Sequence, residues 1–186
     1  TTTAQDLSEW LLGPEAMCLP FDVNCRRLEV SVVGMPQQHS PSLVLAGTSL
    51  CLDHASGKVL VFVDDLRPAK QTALDLTALV RGFAEGVVAE VEDKVLVETV
   101  PKGIAYLHES MLASDQDFVI NAYNNQQVSH LVMCRESIWS FATKQVTSNH
   151  VCILGTSTFE PQHNALVEYA DADVQRMLLF AEKSAV

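Results

Sequence analysis

Two cysteines and two histidines form the most chemically suggestive group in the sequence. His130 and Cys134 are four residues apart, and His150 and Cys152 are two apart, so each pair would share one face of a strand. If the two strands are neighbours, the four side chains would converge at distances that suit zinc. The spacings lack the tight turn of established zinc motifs. We therefore interpret the cysteines as core residues, and we predict no metal and no cofactor.

A pair of carboxylates follows the most apolar segment of the chain. Asp64 and Asp65 stand between Val59–Val63 and a helical pattern, so we expect them to cap that helix. A strand, an acidic pair and a helix in this order also resemble the opening of a response-regulator receiver domain. There the acidic pair helps to bind Mg²⁺ beside a phosphoacceptor aspartate. The resemblance covers about 35 residues and fails at Phe118–Tyr123, which has no acceptor aspartate at its end.

A cysteine nucleophile with a histidine base is a further chemistry that the composition offers. Such a cysteine needs a nearby base or a helix N-terminus to favour its thiolate. Neither candidate cysteine opens a predicted helix, because both lie inside predicted strands. The candidates are Cys51 or Cys152, with His54, His108 or His150.

We expect the rest of the chain to be built around the stretch Ser42–Gly86, which contains Cys51, His54, Asp64 and Asp65. Val59–Val63 has no polar residue to turn toward water, which predicts a strand buried on both faces. We expect this strand, within Lys58–Asp64, to pair with a strand at Leu43–Leu52. The following helix, from about Pro68 to Glu85, carries an apolar stripe at spacings of three and four.

The remaining pattern predicts an α+β fold with a mainly antiparallel sheet, because most links between predicted strands are too short for parallel crossovers. We expect about seven to nine strands packed by two main helices, at about 68–85 and 171–184. Strands followed by a helix occur twice, which leaves two similar halves open. We predict a single domain over 1–186, with a subdomain boundary near 86 as the alternative. The other predicted elements are a helix after Asp6, a strand at Leu28–Val32, a hairpin at Val87–Val100, a short helix at Ile104–Leu112, and strands at Phe118–Tyr123, Val128–Cys134, Ser137–Lys144 and His150–Leu154.

Composition and charge restrict the functional class. The chain has 186 residues, 48% of them apolar, and a net charge of −11 without a basic block, which argues against binding a phosphate backbone. Five irregularly spaced cysteines favour reduced thiols and a cytoplasmic location, with a Cys18–Cys25 disulfide as the alternative for a secreted chain. Apolar runs are far shorter than a membrane helix needs. The start at Thr1 indicates a fragment or processed form, which leaves a removed targeting or membrane-anchoring segment open.

These observations favour a non-enzymatic module that binds another protein or acts as a scaffold, with no nucleic-acid partner. This preference for a non-enzymatic module rests on an absence, because the sequence shows no coherent set of catalytic residues. The alternative is an enzyme of hydrolase or transferase type, with a cleft near Asp64 and Asp65 or near the group from His130 to Cys152. A third hypothesis is a sensor that binds a small molecule between sheet and helix.

Overall fold

The computed structural model describes residues 57–79, 91–141, 146–155 and 157–181. The strands predicted at Leu28–Val32 and Leu43–Leu52 and the helix predicted after Asp6 lie outside these ranges. The described elements, in chain order, are β1 (Val59–Val63), α1 (Leu66–Leu79), α2 (Lys94–Thr99), β2 (Ile104–Leu107), α3 (Ala113–Asn124), β3 (His130–Cys134), α4 (Ile138–Phe141), β4 (His150–Ile153), β5 (Ser157–Glu160), β6 (Ala165–Glu168) and α5 (Asp171–Leu178).

Four of the strands form one parallel sheet in the order β2-β3-β1-β4. Val59 of β1 lies opposite His130 of β3 on one side and His150 of β4 on the other, and every strand pair runs in the same direction. β5 and β6 form a separate antiparallel hairpin, in which Ser157 pairs with Glu168. The core of the described domain is therefore a parallel α/β sheet.

The predicted antiparallel α+β fold is wrong, because several segments interpreted as strands are helices. Phe118–Tyr123 belongs to α3, and this helix provides the long crossover that parallel strands need between β2 and β3. The second half of the predicted Val87–Val100 hairpin is α2, and Ser137–Lys144 contains α4. The helix predicted at Ile104–Leu112 is instead β2 at its start. The error at Phe118–Tyr123 replaced a crossover helix by a strand, and the error at Ile104–Leu112 replaced a strand by a helix.

The strand at the centre of the sheet is buried, as its composition predicts. All five side chains of Val59–Val63 are at most 4% exposed, and each contributes roughly 1.5–3 kcal/mol on full burial. Phe62 packs edge-on against Phe180 just after α5, with ring centroids 5.6 Å apart. The ammonium of Lys70 in α1 instead lies over Tyr106 of β2. Tyr106 is in register with Val132, and Phe62 is in register with Met133. Because Val132 and Met133 are adjacent in β3, Tyr106 and Phe62 point to opposite faces of the sheet. α1 and α5 therefore cover opposite faces.

The amino ends of β1 and β4 are joined by a close backbone approach at Gly57. Its φ is +121°, and a Cβ there would lie 2.6 Å from the Asn149 side-chain oxygen. That oxygen accepts the Lys58 N–H at 2.9 Å. Glycine is therefore required by both conformation and space. None of the described helices is long and apolar enough to span a membrane.

Candidate functional site

The carboxyl ends of the four parallel strands meet at one edge of the sheet. From β1 the chain crosses β3 to reach β2, whereas from β3 it crosses β1 to reach β4. The connections from these two neighbours thus leave in opposite directions, and open parallel sheets bind ligands outside the carboxyl ends at such a point. Asp64 follows β1 there, and Arg135 follows β3. This edge is the candidate functional site.

Arg135 joins three elements at this point. Its Nη1 donates a hydrogen bond to Asp173 Oδ2 of α5 at 3.0 Å, and its Nε lies 3.8 Å from Asp64 Oδ1. Its guanidinium carbon lies 5.3 Å from the ring centroid of Tyr169. Thr158 of β5 donates to the other oxygen of Asp64 at 2.9 Å. One guanidinium and one carboxylate therefore attach the hairpin and α5 to the end of the sheet.

The electrostatics of this cluster keep the Tyr169 phenol neutral. Burial raises the pKa of Tyr169 to about 12, the negative charge of Asp64 adds to the rise, and Arg135 opposes it. A phenol with this pKa keeps its proton at neutral pH. Tyr169 therefore acts here as an aromatic surface for Arg135 rather than as a base.

A second polar group lies at the end of β3. Ser137 donates a hydrogen bond to Glu109 Oε2 at 2.8 Å, and the Cys134 sulfur lies 2.8 Å from the Ser137 hydroxyl oxygen. Because the serine hydrogen is directed to Glu109, the thiol is the donor in the second contact. Burial raises the pKa of Cys134. Its thiol is therefore protonated and unsuited to nucleophilic chemistry.

A third group lies where α1 meets β2. Lys70 Nζ is 3.1 Å from Asp93 Oδ2, and the same ammonium is 5.3 Å from the Tyr106 ring centroid. Asp93 also caps α2 by accepting the Val95 N–H at 2.8 Å. Burial acts to raise the pKa of Asp93, but its hydrogen bonds, including those from Lys70 and Val95, outweigh burial and lower it. This ionised carboxylate connects α1 to α2.

His108, directly after β2, is a buried neutral imidazole. Its ring stacks on Tyr106 with centroids 5.9 Å apart, and its Nδ1 accepts the Ser110 N–H at 3.1 Å. Burial lowers the pKa of His108, and the positive charge of Lys70 lowers it further, against smaller opposite effects of Glu109 and Asp93. The unprotonated Nδ1 is therefore a structural acceptor that shapes the loop after β2.

The acidic pair predicted from the sequence lies at the candidate site, and its two members make different contacts. Asp64 directs its side chain to Thr158 and Arg135. Asp65 is exposed, and its backbone carbonyl accepts the Ala69 N–H at 3.0 Å. The part that Asp64 plays in attaching the hairpin could not be seen from a capping pattern.

The two cysteines and two histidines proposed as weak metal candidates are not brought together. β1 lies between the strands that carry them, and Val59 is opposite both His130 and His150. Strands two places apart in a sheet are separated by about 10 Å. Neither Cys134 nor Cys152 forms a disulfide. Within the described ranges, no three His, Cys, Asp or Glu side chains are grouped as metal ligands.

Among the predicted cysteine–histidine pairs, the structure separates Cys152 from His108. Cys51 and His54 lie outside the described residues. Cys152 is in β4 and His108 follows β2, at opposite edges of the four-stranded sheet. His150 precedes Cys152 by two residues on the same strand. The geometry does not assemble a nucleophile and base from Cys152 and His108.

An open cleft of about 370 Å³ lies beside the Arg135 cluster. Sequence reasoning missed the residues that form it, although Arg135 and Glu136 directly follow a predicted strand. A correct assignment of α3 as a helix would have made the strands parallel and would have placed Asp64 and Arg135 at one edge. The cleft is lined by Arg135, Glu136, Thr158, Phe159, Glu160, Pro161, Val167, Glu168, Tyr169, Ala170 and Asp173.

Comparison with known proteins gives no match to a family model but several similar proteins. The pre-mRNA-splicing factor brr2 of Schizosaccharomyces pombe is 28% identical over 95% of the chain. The U5 small nuclear ribonucleoprotein 200 kDa helicase of Drosophila melanogaster is 24% identical over 95% of it. The DExH-box ATP-dependent RNA helicase DExH12 of Arabidopsis thaliana is 23% identical over 94%. The chain spans 9% of the length of each of these relatives.

These relatives contradict the functional class that the sequence favoured. The sequence favoured a non-enzymatic interaction or scaffold module without a nucleic-acid partner. Two of the three relatives are instead named as helicases, and one of these two is named as an RNA helicase. The charge argument failed because net charge describes only this stretch, about a tenth of such a protein. The relatives agree better with the alternative, an enzyme of unrecognised type.

Proposed function

We propose that this chain is one domain of a larger ATP-dependent RNA helicase that takes part in pre-mRNA splicing. The observation that carries the proposal is similarity over nearly the whole chain to a pre-mRNA-splicing factor from a yeast and to helicases from an insect and a plant. The parallel sheet supports it, because the carboxyl edge of such a sheet is where nucleotides and other ligands bind in open α/β proteins.

Two helicase motifs are absent from the sequence, and this restricts what the domain would contribute to such a helicase. The chain contains no Gly-x-x-x-x-Gly-Lys-Ser/Thr phosphate loop and no Asp-Glu-x-His motif, so the phosphate-binding loop of the helicase would belong to another part of the protein. The contribution of this domain would come from the edge that carries Asp64 and Arg135. A splicing helicase would also act in the nucleus, in place of the cytoplasmic location that the cysteines favoured.

The test uses the complete protein that contains this chain. It is purified, and unwinding of an RNA duplex with a single-stranded overhang is measured with and without ATP. We expect ATP-dependent unwinding, and nuclear staining by an antibody to the chain. Arg135→Met should reduce unwinding, because it removes the guanidinium that organises the edge, while Arg67→Met at an exposed position of α1 should not.

Complete protein that does not unwind the RNA duplex in the presence of ATP and stains only in the cytoplasm would contradict the proposal. Equal effects of the two arginine substitutions would leave the helicase assignment standing but would remove the carboxyl edge as the functional part of this domain.

A further inference from the structure

The two edges of the four-stranded sheet are covered to different extents. β2 forms one edge, and all four of its residues are buried. β4 forms the other edge, and its four residues are only half-buried, although Val151 and Ile153 pack against the core. Parallel sheets are normally enclosed by the rest of the domain. The edge at β4 therefore remains partly open within the part of the chain that the structure describes.

The backbone of β4 directs hydrogen-bonding groups to its outer side. The N–H of Leu154 donates to the Phe62 carbonyl of β1 at 2.9 Å, and the N–H of His150 donates to the carbonyl just before β1 at 3.1 Å. Because these groups alternate in direction along a strand, the N–H and C=O groups of Val151 and Ile153 point away from β1. Outward groups of this kind are a template for pairing with a further strand.

The chain that leaves α5 begins such a pairing. Ser148, just before β4, forms a parallel bridge with Ala181, and its N–H donates to the Phe180 carbonyl at 2.9 Å. These three residues are at most 6% exposed. The polypeptide after α5 therefore enters the sheet layer beside the amino end of β4, and it runs in the direction of the four strands.

The handedness of the connections indicates the same side of β4. The connection from β1 to β2 places α1 on the face of Tyr106 and moves towards the β2 edge. α5 lies on the opposite face, where Phe180 packs on Phe62. Connections between parallel strands are right-handed in about 98% of cases, so helices on opposite faces accompany steps in opposite directions. The step after α5 therefore leads away from β2, to the outer side of β4.

We infer that the polypeptide that follows Ala181 forms a fifth parallel strand on the outer side of β4. This strand is mainly apolar, as β1 and β4 are, because a strand inside a parallel sheet is buried on both faces. Its carboxyl end extends the candidate functional site beyond Leu154. A second copy of the chain, or the segment before Gly57, would not continue from the bridge at Ala181. The inference rests on the proposed function only in placing this chain within a longer polypeptide.

The test determines the structure of the complete protein by cryo-electron microscopy. We expect backbone density about 4.8 Å from β4 on its outer side, parallel to β4 and traceable without a break to Ala181. Each of three other results would overturn the inference. They are an antiparallel strand at this position, a strand from a second copy or from the chain before Gly57, and an edge of β4 that is open to solvent.

Hydrogen exchange of the complete protein measures the same pairing in solution. The amides of Val151 and Ile153 should be protected to within about tenfold of the amide of Val61 in β1, because all three would lie in inner strands. Exchange at Val151 and Ile153 as fast as in the hairpin turn at 161–164 would overturn the inference. Neither measurement uses ATP or unwinding, so a failure of the helicase proposal is distinguished from a failure of this one.

Discussion

β1 and the hairpin β5–β6 are both short and both carry large apolar side chains, yet the structure uses them in opposite ways. β1 has a parallel neighbour on each side, and its side chains are almost fully buried. β5 and β6 pair only with each other among the described strands, and Phe159 and Leu166 remain exposed. β1 therefore stabilises the domain, whereas the hairpin depends on a few polar contacts to hold its position.

The largest expected difference comes from removing one phenyl ring in each region. Phe62→Ala should lower the free energy of unfolding by about 3–5 kcal/mol, since it leaves a cavity beside Phe180. Phe159→Ala should change it by less than about 0.5 kcal/mol, as is usual at exposed positions. Urea denaturation of both variants measures the two values. Similar losses would remove the distinction between the two regions.

The next largest effect is expected where the hairpin and α5 meet the sheet. Arg135→Met removes the hydrogen bond to Asp173 and the positive charge beside Asp64, and should cost roughly 1.5–3 kcal/mol. Amide exchange should increase most in residues 157–173. Arg67→Met is the matched control and should have little effect on either measurement. Unchanged exchange in the hairpin would show that Arg135 does not hold it.

A smaller effect is expected from one hydroxyl group. Thr158→Val keeps the shape of the side chain but removes the donor to Asp64, at a cost of about 1 kcal/mol. Thr158→Ser retains the hydroxyl and should restore most of the loss. Urea denaturation compares the two. If serine and valine behave alike, the hydrogen bond does not contribute.

The smallest effect is a pH dependence of stability that comes from His108, directly after β2. The pKa of His108 in the folded state is below its ordinary value of 6.5, so the unfolded chain binds a proton more readily. Its contribution to stability is therefore complete above about pH 6.5 and is lost as pH falls towards the folded pKa.

Unfolding is followed at several pH values between about 7.5 and 5.5. His108→Gln should reduce the slope of stability against pH. An unchanged slope in His108→Gln would contradict the account of this buried imidazole.

The sequence was informative where a single segment determines its own environment. The continuous apolar run of Val59–Val63 correctly predicts a buried strand, and Asp171 correctly predicts the start of the last helix. Strand direction failed because it depends on what lies between strands. Phe118–Tyr123 alternates little and contains β-formers, so its helical state in α3 is decided by packing rather than by local preference.

The candidate site could not be predicted because the predicted strand directions were wrong. Asp64 and Arg135 are 71 positions apart in the chain, and only a parallel arrangement of β1 and β3 places them at one edge. Thr158 and Asp173 join them through the hairpin and α5, whose positions no local pattern encodes. The acidic pair was noted from the sequence, but its partners could not be identified without the topology.

Nuclear Overhauser contacts between backbone protons of β1 and its neighbours would test the strand arrangement most directly. The structure predicts contacts from Val61 to Val132 on one side and to Cys152 on the other, with the amide-to-Hα pattern of parallel strands. Strong Hα-to-Hα contacts across β1 and β3, or direct contacts between β3 and β4, would contradict the parallel sheet and the site at its carboxyl edge.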